Sequence, residues 1–221
     1  MLEERVYTQE ELSEILGTIE VKNIKAKLKR YNVDFTATKV EESYVFDIHR
    51  INDKFKVFCI LELKFPAQTN FSKLKYFVYY FFNDNDFNLL SHKLMMKKLK
   101  EVFGEAPSRE TIDKWVKKLR GQNLFIEDIC EYRYFSVDKE SYKEISHEEY
   151  KKAWNVYWKY VNLHFDDEDY NHYEAIIKMY SVIGGKAVKR PLININGFYN
   201  DKIKKLTEYA LESIEQEINS D

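Results

Sequence analysis

Residues 8–31 read TQEELSEILG and then TIEVKNIKAKLKRY, and the fold assignment starts from them. Thr8 stands where a helix N-cap belongs, and Glu11 three residues on completes a capping box. Leu12, Ile15 and Leu16 give a short helix its buried stripe, and Gly17 supplies the left-handed residue that ends it. A second helix is predicted from about Ile19 to Tyr31, with Val21, Ile24, Leu28 and Tyr31 on one face. Lys22, Lys25 and Lys29 share another face, beside Lys27 and Arg30. The stretch therefore holds two helices, a tight turn between them, and basic residues concentrated on the second.

Working outward, residues 35–40, 44–51 and 55–65 read as strands, the last two joined through Asn52-Asp53-Lys54 as a hairpin. Pro66 and the AQTN after it mark a break. A helix is predicted over 71–82, a loop over NDNDFN at 83–88, and a basic amphipathic helix over 90–103 that stops at Gly104. Ser108 caps a further helix, with Thr111 in its first turn, that runs to Arg120 and ends at Gly121. Segments 124–129 and 131–137 alternate as a second hairpin would. The remainder is mostly helical, over 146–163, 170–183 and 200–218, with a turn at Gly184-Gly185 and a short extended run over 189–196.

Composition bounds the function. The chain has 221 residues, 44% hydrophobic and 33% charged, which suits a globular protein with a substantial core. Its net charge of -2 gives no global attraction to nucleic acid, so any such contact depends on local basic patches. Basic residues do cluster, at 22–30, 93–100 and 109–120, while acids gather at 166–169 and from Glu208 onward. Cys59 and Cys130 lie in apolar strand-like runs and read as buried free thiols, which suits a reducing cytoplasm. The charged N-terminus lacks a signal-peptide core, and no apolar run approaches the length needed to span a bilayer. Phosphate loops, dinucleotide glycine fingerprints and nucleophile elbows are missing from the sequence, and the five histidines share no metal-ligand spacing.

The opening segment resembles the winged helix-turn-helix superfamily, and TQEELSEILG resembles the start of MerR-type DNA readers. The resemblance covers residues 7 to about 51 and departs from the pattern after Gly17, where Thr18-Ile19-Glu20 replaces the usual Ser or Thr cap. It implies a reading helix in the major groove of double-stranded DNA, with Lys22, Asn23, Lys25, Lys29 and Arg30 facing it. Lysines neutralise phosphate, whereas Asn23 and Arg30 suit base edges. Residues 90–137 also resemble a winged helix. By analogy Ser108, Arg109, Thr111, Lys114, Lys117 and Lys118 line a DNA side, and Arg133 in the wing reaches a phosphate or the minor groove.

A different chemistry is suggested by Asp47 in YVFDIHR and Glu62-Leu63-Lys64 in FCILELKF, which together resemble the PD-(D/E)xK nuclease core. There two carboxylates would hold Mg²⁺ to activate water, and the lysine would position the nucleophile. Strand alternation would put Glu62 and Lys64 on one face. Asp47 has no preceding proline, and the region is short for such a core.

The resulting expectation is an α+β chain of tandem winged-helix-like modules, 1–66 and 67–138, with a helical C-terminal region, 139–221. Its expected role is sequence-specific double-stranded DNA binding without a cofactor, as a transcriptional regulator or a replication initiator of a phage or plasmid type. The alternatives are the Mg²⁺-dependent nuclease and a protein-binding inhibitor whose acidic segments, 166–169 and 208–221, mimic DNA. Trp154, Tyr157, Trp158 and Val161 sit at helical spacing, as a core stripe or as a homodimer contact through the C-terminal helices.

Overall fold

A computed structural model describes residues 1–138, 142–164, 171–195 and 197–219. Its elements make an α+β chain with two antiparallel sheets. The described residues fall into two compact units, one formed by Met1–Phe125 with the segment from Ile195 onward, the other by Ile126–Asn194.

The first unit opens with β1 (Val6–Thr8), α1 (Gln9–Leu16), α2 (Val21–Arg30), β2 (Val33–Val40) and β3 (Ser43–Ile51). The strands form one sheet in the order β1-β3-β2, with Tyr7 opposite Phe46 and Ala37 opposite the same residue from the other side. The capping box forms as expected: the Thr8 hydroxyl accepts from Glu11 N, and the Glu11 carboxylate accepts from Thr8 N at 2.8 Å. The bond from the Thr8 backbone, and after it the Arg5 guanidinium, holds the Glu11 carboxyl below its usual value. Gly17 ends α1 in the left-handed region at φ 62°, where a Cβ costs conformational energy. Leu12, Leu16, Ile24 and Leu28 from the helices meet Phe46, Ile48 and Val33 from the sheet in one buried cluster.

Behind this sheet module come α3 (Lys54–Leu61), α4 (Phe71–Asn83), α5 (Asn85–Asn88), α6 (His92–Phe103) and α7 (Arg109–Gly121). Two expectations need correction here. Residues 55–65 are not a strand: Asp53 caps α3, accepting from Lys56 N at 2.8 Å, and the hairpin lies one segment earlier, between β2 and β3. The cause is burial on nearly every side. Phe55, Val57, Phe58, Cys59 and Leu61 are all inside, so the apolar run loses its 3.6-residue period and reads as a strand. The loop expected at 83–88 contains the short α5, capped by Asp84. Aromatic rings fill this part of the core: Phe77 lies 5.5 Å from Trp115 and 5.4 Å from Phe81, and Phe81 lies 5.0 Å from Phe125, centroid to centroid.

β4 (Phe125–Val137) runs on into the second unit, followed by β5 (Tyr142–Ile145), α8 (His147–His164), α9 (His172–Ile183) and β6 (Lys186–Ile195). The sheet order is β5-β4-β6. Segments 124–129 and 131–137 are thus not two strands of a hairpin but one strand, whose hairpin partner is β5, with Val137 opposite Tyr142. No glycine, proline or asparagine stands at 129–131 to reverse the chain. α8 and α9 pack through Ala153, Tyr157, Val161, Ala175 and Met179. Gly185 is obligatory by contact: a Cβ there would lie 2.4 Å from the Ser136 hydroxyl oxygen. The chain then returns to the first unit through the turn Gly197–Tyr199 and α10 (Asn200–Ile218), which packs on α3 and α4.

The expected boundary at 67–138 therefore does not coincide with a compact unit. α6 and α7 belong to the first, and β4 beyond Phe125 belongs to the second. Cys59 is buried, and burial pushes its thiol well up, but Cys130 is exposed, contrary to expectation. Among the described residues no helix is long and apolar enough to cross a membrane.

Candidate nucleic-acid interface

α2 carries five cations and no acid. Its apolar side, Ile24 and Leu28, is fully buried against the sheet module, which fixes the direction in which the opposite side points. At 3.6 residues per turn, Lys29, Lys22, Ala26, Arg30 and Asn23 follow one another around an arc of about 120°. All five are exposed. The side chains of Lys22, Lys29 and Arg30 make no hydrogen bond or ion pair among the described residues. Asn23 donates to the Glu20 carboxylate at 3.0 Å, so its amide is oriented at the start of the helix.

The other two cations serve the fold. Lys27 donates to the Leu16 carbonyl at 2.6 Å, which satisfies an end of α1. Lys25 places its ammonium 4.5 Å from the centre of the Tyr44 ring and ties the helix to the hairpin. The arc thus includes four of the five expected residues. It also includes Ala26, a residue without a polar group, whose spacing of four from Lys22 is the signal that places it on this face. A small residue at the centre of a cationic face lets a helix approach a surface closely.

The hairpin beside this helix turns at Glu41-Glu42, both exposed, with Glu41 at φ 54°. Two carboxylates at the tip repel phosphate, so the cationic surface of the module is the helix and not the hairpin end.

The second group of expected residues is arranged differently. Ser108 caps α7, accepting from Thr111 N at 3.2 Å, and its hydroxyl lies 3.0 Å from that of Thr111. Both hydroxyls therefore have local roles. Arg109, Lys114 and Lys117 are exposed and Lys118 is half-buried. Acids are interleaved with them: Lys117 pairs with Asp113 at 2.6 Å, and this bond, with further help from His92 and Arg109, holds the Asp113 carboxyl below its usual range. Arg133 does not belong to the unit that contains this helix. It lies on β4 in the second unit and forms a two-pronged ion pair with Glu144 of β5, its Nε donating at 2.8 Å.

The nuclease pattern fares no better as geometry. Asp47 is exposed on β3, 3.6 Å from the His49 ring, which also hydrogen-bonds Thr36. Glu62 follows the last turn of α3, where its carboxylate pairs with the N-terminal amine at 3.3 Å and its carbonyl accepts from Lys202. Lys64 adopts φ 56° and donates to the Leu61 carbonyl at 2.6 Å. Glu62 and Lys64 are therefore not neighbours on a strand face, because the segment that carries them ends a helix. No group of three or more His, Cys, Asp or Glu able to hold a metal ion occurs among the described residues.

Acidic residues 166–169 lie outside the described residues. On α10, Glu217 binds Lys75 and Tyr76 of α4 and so serves the core. In the aromatic stripe of α8, Tyr157 and Val161 are buried against α9, while Trp158 is exposed and stacks on Trp154. Comparison with known proteins returns no match: no family model, curated protein sequence or solved structure is significantly similar to this chain.

Proposed function

We propose that the chain is a sequence-specific double-stranded DNA-binding protein, a transcriptional regulator or a replication initiator of a phage or plasmid type, that reads the major groove with α2. The observation that carries this reading is the exposed arc of Lys22, Asn23, Ala26, Lys29 and Arg30, which lacks any acid of its own. In this reading Val6–Ile51 acts as a winged-helix-like module: a strand, two helices joined by a tight turn, and a hairpin that pairs back on the first strand. Lys22 and Lys29, neighbours at one edge of the arc, neutralise phosphates along one side of the groove, while Asn23 and Arg30 at the other edge reach base edges. The acidic turn at Glu41-Glu42 is held off the backbone. α7 is the second contact in this proposal, weaker because its acids neutralise part of its charge.

Selection from a random duplex pool at physiological salt, with and without Mg²⁺, tests the proposal. Enrichment of a sequence, with affinity that falls steeply as salt rises, is the expected result. Cleavage of the pool with Mg²⁺ would favour the nuclease instead. Absence of retention at low salt would sink the DNA reading and leave a protein partner.

A further inference from the structure

Ile19 has the most exposed large apolar side chain among the described residues, at 80%, and it stands at the N-terminal end of the cationic arc. It belongs to the turn between α1 and α2, one residue before the N-cap Glu20. The turn is held before and at this residue: Gly17 is the left-handed cap, and the Gln9 side chain donates to the Ile19 carbonyl at 3.2 Å. The Ser13 hydroxyl donates to the Thr18 carbonyl at 2.9 Å. An apolar β-branched side chain is thus carried by a rigid turn at the mouth of a polar face. Seven positions on, the methyl of Ala26 lies exposed at the centre of the same arc.

Charge complementarity selects a polyanion as the occupant of this face, duplex DNA on the reading above, and one chemical group in the major groove is apolar. The C5-methyl of thymine projects there and distinguishes T·A from every other pair when an apolar side chain meets it. Resting on the DNA-binding reading above, we infer that Ile19 and Ala26 are specificity residues that contact thymine methyl groups, so that the preferred site carries thymines at the positions facing the start and the middle of α2. Asn23 complements them, since an amide pairs with adenine N6 and N7 on the opposite strand of a T·A pair.

Replacing thymine by uracil removes the methyl and leaves the Watson–Crick edge unchanged. Fragments retained by the full chain from a random duplex pool are amplified once with dTTP and once with dUTP, and both forms are titrated against the wild type and Ile19→Ala by fluorescence anisotropy. The uracil form should bind the wild type about fourfold more weakly for each contacted methyl, the loss of one buried methyl group. Ile19→Ala should weaken binding to the thymine form by a similar factor and reduce the thymine-to-uracil ratio. Because the side chain is exposed, thermal melting of Ile19→Ala should match the wild type. Equal affinity for the two forms, or an undiminished ratio in Ile19→Ala, overturns the inference while the DNA-binding reading stands. Failure to retain any duplex removes both.

Discussion

α2 and α7 are alike on paper: each is amphipathic, and each is rich in lysine and arginine. In three dimensions they differ. α2 spends two cations, Lys25 and Lys27, on its own fold and leaves Lys22, Lys29 and Arg30 around Ala26, with one carboxylate beside them, that of Glu20 on Asn23 at the start of the helix. α7 interleaves Glu110 and Asp113 with its cations, and Asp113 ties up Lys117. A count of basic residues therefore does not identify an anion-binding face. What matters is whether acids share the face, because a neighbouring carboxylate cancels the field at the distance of a phosphate.

Mutation of both helices separates their roles with the largest expected effect. Changing Lys22, Lys29 and Arg30 together to Ala should weaken duplex binding on the order of a hundredfold and flatten its salt dependence, measured by anisotropy over a salt series. The matching change of Lys114, Lys117 and Lys118 should cost less than about fivefold. If the second triple is the more damaging, the assignment of the reading helix is reversed.

Scaffold and surface should also separate. Lys75 is buried on α4, where it pairs with Glu217 of α10 at 2.5 Å and donates to the Ser213 carbonyl at 3.0 Å. Glu217→Gln should lower unfolding free energy by about 1–2 kcal/mol in denaturant titration, a modest loss because the carboxylate is partly exposed. DNA affinity of the folded protein should not change. Hydrogen bonds from Lys75 and then Tyr76 hold the Glu217 carboxyl below the ordinary value of 4.5. Its contribution is therefore complete above that pH and is lost as pH falls through the lowered value. The acid limb of a stability–pH curve should accordingly be shallower in Glu217→Gln than in the wild type.

A smaller effect is expected at the turn that presents α2. Gly17→Ala puts a Cβ at φ 62° with no atom within 4 Å of it, so the cost is backbone strain alone, about 1 kcal/mol in a melting experiment. The smallest effect tests the hairpin. Glu41→Gln with Glu42→Gln should leave duplex affinity within about twofold, because screening over roughly 8 Å at physiological salt isolates a tip that does not lie on the backbone. A tenfold gain would place that turn against the phosphates.

Much of the architecture was legible in sequence because its signals are local. Thr8 with Glu11, Gly17, Ser108, Gly104 and Gly184 marked helix ends, and each acts through residues no more than five positions away. The segments that misled were those whose surroundings lie far off in the chain. Residues 55–61 form a helix enclosed by α4 and α10, so no polar face remained to show its period; Asp53 was the one signal that announced it. β4 was divided because its alternation falters near Cys130, and β5 went unnoticed because four residues of mixed polarity carry no pattern.

The candidate site divides along the same line. Sequence alone determined that a short capped helix, a tight turn and a basic helix occur in succession, since caps, turns and the 3.6-residue period are properties of neighbouring residues. Only the tertiary structure decided which cations are left over. Lys25 meets Tyr44 and Lys27 meets Leu16 through the packing of α1, α2 and the hairpin. Glu62 and Lys64, which sequence placed side by side on a strand, were reassigned to the end of α3 by the burial of the run before them. Ile19 lies outside the core on a turn whose Thr18 and Ile19 carbonyls are tied to α1, and neither bond is visible in the letters.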